Sequence, residues 1–178
     1  MRCAIVLISA AALVVTATSS AARIDPSVLA LRQGDVPSGF RIDPDDTGVR
    51  TNAQEMRENP DARPVIRRFG RLTGYQAMFR RGSSRIQARA VVFRTVGGAR
   101  GFLAWIDLEW QKAGLAGQRR ARAPIGTEGH IFWSPQGHAV VVWRHGHVFG
   151  GVLVLGVGRD RALALARAQE RRISAALD

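Results

Sequence analysis

The chain has 178 residues and a formal net charge of +12. That length suits one domain with its own core, and a hydrophobic share of 46% excludes disorder by composition. Cys3 is the single cysteine, so no disulfide framework is available and the fold must rest on packing.

Residues 1–22 read as a secretory signal peptide. Arg2 is a short positive n-region, residues 4–15 an apolar h-region, and Ser20-Ala21-Ala22 a small-residue cleavage site. A retained membrane anchor is the alternative, but the apolar run falls short of the roughly 20 residues that span a bilayer. Cys3 precedes the h-region, whereas a lipid-bearing cysteine follows it. The expectation is cleavage, an extracytoplasmic location (secreted or held in the cell envelope), and one domain over 23–178. Removing Arg2 leaves a charge of +11. Lys112 is the only lysine, so almost all the positive charge is arginine. GC-rich codon usage is one origin of that bias. Its physical consequence is a surface that attracts phosphate- and carboxylate-bearing partners.

Asp25-Pro26 opens a short helix with Asp as cap and Pro at the first position, ended by Gly34. Residues 36–39, VPSG, form a turn, and the acidic stretch 41–50 reads as loop. Thr51 and Gln54 make a capping box for a second helix, which Pro60 interrupts and Gly70 ends. Alternation predicts strands over 75–80 and 86–95, joined by a turn at 81–84 into a hairpin. In the second strand Ile86, Ala88, Ala90 and Val92 share one side, and Gln87, Arg89, Val91 and Phe93 the other. Ala99, Phe102, Leu103, Ile106, Trp110 and Ala113 recur at helical spacing and predict an amphipathic helix over 98–113, closed by Gly114. Residues 115–127 read as a loop containing the basic run Arg119-Arg120-Ala121-Arg122.

Strands follow at about 128–134, 138–144 and 147–156. Ser134-Pro135-Gln136-Gly137 suits a type I turn with a bulge glycine, and His145-Gly146 a two-residue turn. Asp160 is expected to cap a last helix over 161–177. The order ααββαβββα implies an α+β fold: a mainly antiparallel sheet of about five strands, with a ββαβββα core, flanked by helices.

His130, His138, His145 and His147 lie within eighteen residues, which invites a metal site. The expected hairpins argue against one. They pair Arg144 with His147, Glu128 with Arg144, and His130 with Val142. This places His130 and His147 two strands apart, roughly 10 Å, too far for one ion. No metal or cofactor is therefore expected. The same pairing gives a polar row, Glu128–Arg144–His147, with His145 at the turn. Two readings of Glu128, Arg144, His145 and His147 stand: cross-strand ion pairing, or a ligand-binding or catalytic cluster of a hydrolase or metal enzyme.

Gly156-Val157-Gly158 before a helix resembles a nucleotide loop, but Arg161 stands where a small residue must pack and no βαβ unit follows. Gly150-Gly151 within a strand suggests a bulge or a bulky neighbour such as Trp143. Phe102, Trp105, Ile106 and Trp110 read as core or as the wall of an apolar pocket between helix and sheet. Candidate anion-binding residues are Arg119, Arg120, Arg122, Arg167 and Arg171. The strands lack the exposed aromatic pairs of an RNA-binding sheet, and export makes nucleic acid an unsuitable partner. There is no Gly-x-Ser-x-Gly and no nucleophilic cysteine, so no catalytic residue is assigned.

Two turn patterns, Asp35-Val-Pro-Ser-Gly-Phe40 and Gly70-Arg-Leu-Thr-Gly-Tyr75, precede a Val-Phe-Arg strand and a Gly-Ala-Arg helix start. This layout resembles uncharacterised exported bacterial proteins of actinobacterial type and, more loosely, the PsbP-like α-β sandwich of some actinobacterial lipoproteins. The resemblance spans about residues 30–177 and lacks their lipobox. It implies an antiparallel sheet flanked by helices and no catalytic residue. The functional expectation is an exported, non-enzymatic domain that binds a partner or ligand in the bacterial envelope. The alternatives are an electrostatic binder of anionic lipid or polymer, and an enzyme built on the histidine-rich strands.

Overall fold

The computed structural model describes residues 24–113 and 117–178. The proposed signal peptide, Cys3 and Gly114 lie outside the described residues. Eight strands form one antiparallel sheet: β1 (Arg41–Ile42), β2 (Gly48–Arg50), β3 (Arg71–Arg81), β4 (Ser84–Phe93), β5 (Arg119–Arg122), β6 (Glu128–Trp133), β7 (Ala139–His145) and β8 (Val148–Leu155). The order is β1-β3-β4-β8-β7-β6-β5, with β2 also pairing β3. Among the described residues four α-helices accompany it: α1 (Asn52–Glu58), α2 (Ala62–Phe69), α3 (Val96–Ala113) and α4 (Arg159–Leu177).

The fold class is the expected α+β, but the sheet has eight strands rather than about five. The three extra ones, β1, β2 and β5, are polar edge segments. Arg-Ile, Gly-Val-Arg and Arg-Arg-Ala-Arg carry no clear apolar alternation, so 41–50 and 115–127 read as loop. Edge strands are where polar sequence is tolerated and useful. The first expected helix is instead two separate 3-10 turns, Pro26–Leu29 under an Asp25 cap and Gln33–Asp35. The Thr51/Gln54 capping box forms on α1, and Gly70 ends α2 in the left-handed region at φ 66°. Gly158, not Asp160, caps α4.

Both sheet faces are covered. On one, Ile86, Ala88, Ala90, Ile131, Val141, Trp143, Val152 and Val154 pack against Ala162, Leu165, Ala166 and Ile173 of α4 and against Leu29, Leu31 and Phe40 of the N-terminal segment. On the other, Val91, Phe93, Phe132, Val140, Val142 and Phe149 meet Ala99 and Leu103 of α3. Phe102 anchors that second layer, with its ring 5.0 Å from Phe93, 4.9 Å from Phe149 and 6.4 Å from Phe69 of α2.

The β6–β7 hairpin has the expected register: Glu128 opposite Arg144 and His130 opposite Val142. The β7–β8 hairpin does not. Arg144 lies opposite Phe149, and His145 opposite Val148. The two loop residues are Gly146 and His147, with Gly146 at φ 53°. A glycine first suits a type II′ turn and spares His145 a positive φ. Moving the turn by one residue changes each partner by two positions, so every side chain keeps the face expected of it.

Candidate functional site

The four candidate ligand residues do not form one cluster. Glu128 accepts from Arg144 Nε at 3.2 Å on the α3 face. There Asp107 of α3 receives Arg120 Nε at 3.0 Å and Nη2 at 2.7 Å, and His130 Nδ1 lies 3.1 Å from Arg120 Nη2 and 3.4 Å from Asp107. His145 points to the opposite face, where its Nδ1 is 2.6 Å from Glu170 Oε1 of α4. Trp143 Nε1 donates to the other Glu170 oxygen at 2.5 Å. His147 sits in the turn, and its Nε2 is buried without a hydrogen-bond partner. Burial pushes this imidazole below its ordinary value. Among the described residues no group of three or more His, Cys, Asp or Glu side chains is arranged to hold a metal ion.

The candidate anion-binding arginines divide between two elements. Arg119, Arg120 and Arg122 make the β5 edge strand, with Arg120 committed to Asp107. Arg167 and Arg171 stand exposed on α4, while their neighbour Arg172 is bonded to Asp35.

A different site emerges under α3. Three cavities lie between this helix and the sheet, sharing walls in series. The first, about 130 Å³, is bordered by Arg50, Glu55, Arg71, Arg89, Phe102 and Trp105. The second, about 170 Å³, adds Gln87, Phe149, Gly151 and Leu153 and shares Arg89, Val91, Phe102 and Ile106 with the first. The third, about 250 Å³, lies among Trp110, Phe132, Trp133, Ser134 and Leu155 and shares Trp110, Val140 and Leu153 with the second. Phe102, Ile106 and Trp110 follow each other at intervals of four, so the groove tracks about 12 Å of helix. Ligand sites typically take about 300–1,000 Å³; each cavity alone is smaller, and the three together fall within that range.

The charged end of the groove is built by a β-bulge. The β3–β4 register shifts between Arg71 and Thr73, so Arg71 pairs with Phe93 and joins the α3 face. Bulges re-aim side chains in this way, and they are enriched beside binding sites. Arg71 is 6% exposed. Its Nη1 donates to Asn52 Oδ1 at 2.5 Å and its Nη2 to the Arg50 carbonyl at 2.7 Å, with Glu55 at 3.5 Å. Gly74 makes room, since a Cβ there would stand 2.8 Å from Arg71 Nη2. Burial draws the Arg71 guanidinium below its ordinary value; Glu55 opposes this and Arg89 reinforces it. Arg89 donates from Nε to Gln76 at 2.9 Å and from Nη1 to Glu55 at 3.3 Å. Arg50 is paired with Glu58 at 2.8 Å, yet its Nε is buried without a partner.

The sequence carried a partial signal for this site. Gln87 and Arg89 lie on the strand side that also bears Val91 and Phe93, a side that a helix covers. Polar residues there mark a face left incompletely sealed. Arg71 gave none, because the expected strand begins at residue 75 and leaves it in a turn, whereas β3 starts at Arg71 and its bulge brings the side chain to this face. The carboxylates of the polar loop also find an unforeseen partner: Arg80 bonds both Asp43 and Asp46.

No protein-family model and no curated protein matches the chain. Among solved structures it is similar to the extracellular domain of PknH from Mycobacterium tuberculosis, with a TM-score of 0.56 at 15% identity, over 84% of this chain and 94% of that one. At that identity the likeness is one of fold, with an actinobacterial extracellular domain. Among the described residues no helix is long and apolar enough to cross a membrane.

Proposed function

We propose that the chain is an exported, non-enzymatic binding domain of the bacterial envelope, and that it binds its ligand in the groove beneath α3. The observation that carries this reading is Gly151. Its neighbour Gly150 is required, because the Trp143 ring lies where a Cβ would stand. Gly151 is far less constrained: a Cβ there would stand 3.3 and 3.5 Å from the Phe149 ring, which need shift only a few tenths of an ångström, and its φ is not positive. Glycine inside a strand weakens it and often marks close approach by another molecule. Here it leaves the floor of the middle cavity open. The export pattern of residues 1–22 and the fold likeness to an extracellular domain support the location. A PsbP-like sandwich is the finer reading of the architecture.

The test is uptake of the uncharged dye N-phenyl-1-naphthylamine by the purified, untagged protein. One dye per chain, with binding weakened at least tenfold in Gly151→Val, is the expected result. No uptake, or equal uptake by the variant, would remove the groove as the site.

A further inference from the structure

We infer that the ligand of this groove is an amphiphile with a single anionic head, the head seated at Arg89 beside Arg71 and the apolar chain lying along Phe102, Ile106 and Trp110. The inference rests on the groove being the binding site, as proposed above, and adds the chemical class of its occupant.

Charge balance at the first cavity motivates it. Arg50, Arg71 and Arg89 border that cavity against one bordering carboxylate, Glu55. Glu58 offsets Arg50 from outside. Arg71 and Arg89 therefore share one carboxylate, and one positive charge is left over. Arginine does not shed its proton, so the imbalance persists at any physiological pH. A guanidinium at an apolar wall with an uncompensated charge favours a carboxylate or phosphate, held by a charge-assisted hydrogen bond.

The two arginines differ in availability. Arg71 is spent on stitching α1 to β3 through Asn52 and the Arg50 carbonyl. Arg89 is 37% exposed at its side chain, and its Nη2 makes no hydrogen bond among the described residues. Gln76 holds the Arg89 Nε side, so Nη2 is the free prong. The far end of the groove is chemically different. Aromatic and aliphatic side chains dominate it, and Ser134, 7% exposed with its Oγ unpartnered, is its one buried hydroxyl. A polar head at Arg89 and an apolar body toward Trp133 match this gradient; the reverse orientation buries a charge among tryptophans.

The experiment compares decanoate, decyl phosphate, decanol and decyltrimethylammonium, each below its micelle concentration. Calorimetry on the purified full-length exported protein reads affinity and stoichiometry. The expected result is one decanoate or decyl phosphate per chain, at least tenfold tighter than decanol, and no measurable cation binding. Decanoate favoured over decyl phosphate identifies a carboxylate head, and the reverse a phosphate head. Arg89→Met should abolish the preference for decanoate over decanol, and Arg89→Lys should fall between. Thermal melts establish that each variant is folded, and Arg89→Lys alone serves if Arg89→Met is not. Equal binding of decanoate and decanol by the wild type, or a preserved preference in Arg89→Met, would overturn the anionic head and leave the groove standing. Failure of all four probes would overturn both.

Discussion

Arg172 and Asp35 stand 137 positions apart in the chain and meet as a fork: Nε reaches one carboxylate oxygen at 3.1 Å, and Nη2 reaches both at 3.0 and 2.9 Å. The pair fastens the N-terminal segment, with Leu29, Leu31 and Phe40, over the α4 face. Burial alone would raise the Asp35 carboxyl, but the Arg172 hydrogen bonds, the Arg32 backbone N–H and the two arginine charges hold it below the ordinary 3.8. A carboxyl depressed in the folded state stabilises the protein above its unfolded value, and that contribution is lost as pH falls through the folded value. Asp35→Asn should therefore lower stability at neutral pH by about 1–2 kcal/mol and flatten the acid limb below about pH 4. Urea unfolding at several pH values checks both.

The adjacent glycines of β8 should respond unequally. Gly150→Ala drives a methyl into the Trp143 ring, which is fully buried. A loss of about 1–3 kcal/mol is expected from overpacking. Gly151→Ala meets only the Phe149 ring at 3.3 Å, a contact partly offset by the removal of an unfavourable strand glycine, and should cost well under what Gly150→Ala costs. Parallel thermal melts separate the two.

Glu170 holds two partners from β7 with its two oxygens, Trp143 Nε1 and His145 Nδ1. Glu170→Ala strands a buried indole N–H and should cost about 1–3 kcal/mol. The same change should leave dye uptake by the groove intact, because it acts on the opposite face. Tryptophan near-UV dichroism together with dye titration reads both outcomes.

His147 predicts a second pH effect. Burial lowers its imidazole below 6.5, so the unfolded chain binds a proton there before the folded protein does. Stability then declines as pH falls from about 6.5 until the folded ring also protonates. His147→Gln should show a smaller loss of urea midpoint between pH 7.5 and 5 than the wild type.

What the sequence revealed follows physical range. Local rules located the Thr51 cap, the Gly70 stop, the Ser134–Gly137 turn and the faces of β4, β6 and β7, because each depends on residues within one turn or one strand. The β7–β8 turn falls one residue later than the sequence predicts, since His145-Gly146 and Gly146-His147 both accommodate a glycine turn. Faces survived that slip; the Arg144–His147 pairing did not. The Arg71 site was hidden for a different reason. A bulge on β3, a helix 19 residues upstream contributing Asn52, and a strand partner contributing Arg89 assemble it in space. Charge counts registered an arginine excess without its arrangement.

The β5 strand, Arg-Arg-Ala-Arg, is the last in the sheet, and the opposite border is divided between β1 and β2, two and three residues long. A second copy adding to the β5 border would set guanidinium against guanidinium, while the other border offers no long template. With a single cysteine in its sequence, the chain has no intrachain disulfide to resist partial opening. Repulsion between copies at Arg119 and Arg122 would oppose such edge pairing, and that opposition weakens as salt shortens the Debye length from about 10 Å at 0.1 M toward about 3 Å at 1 M.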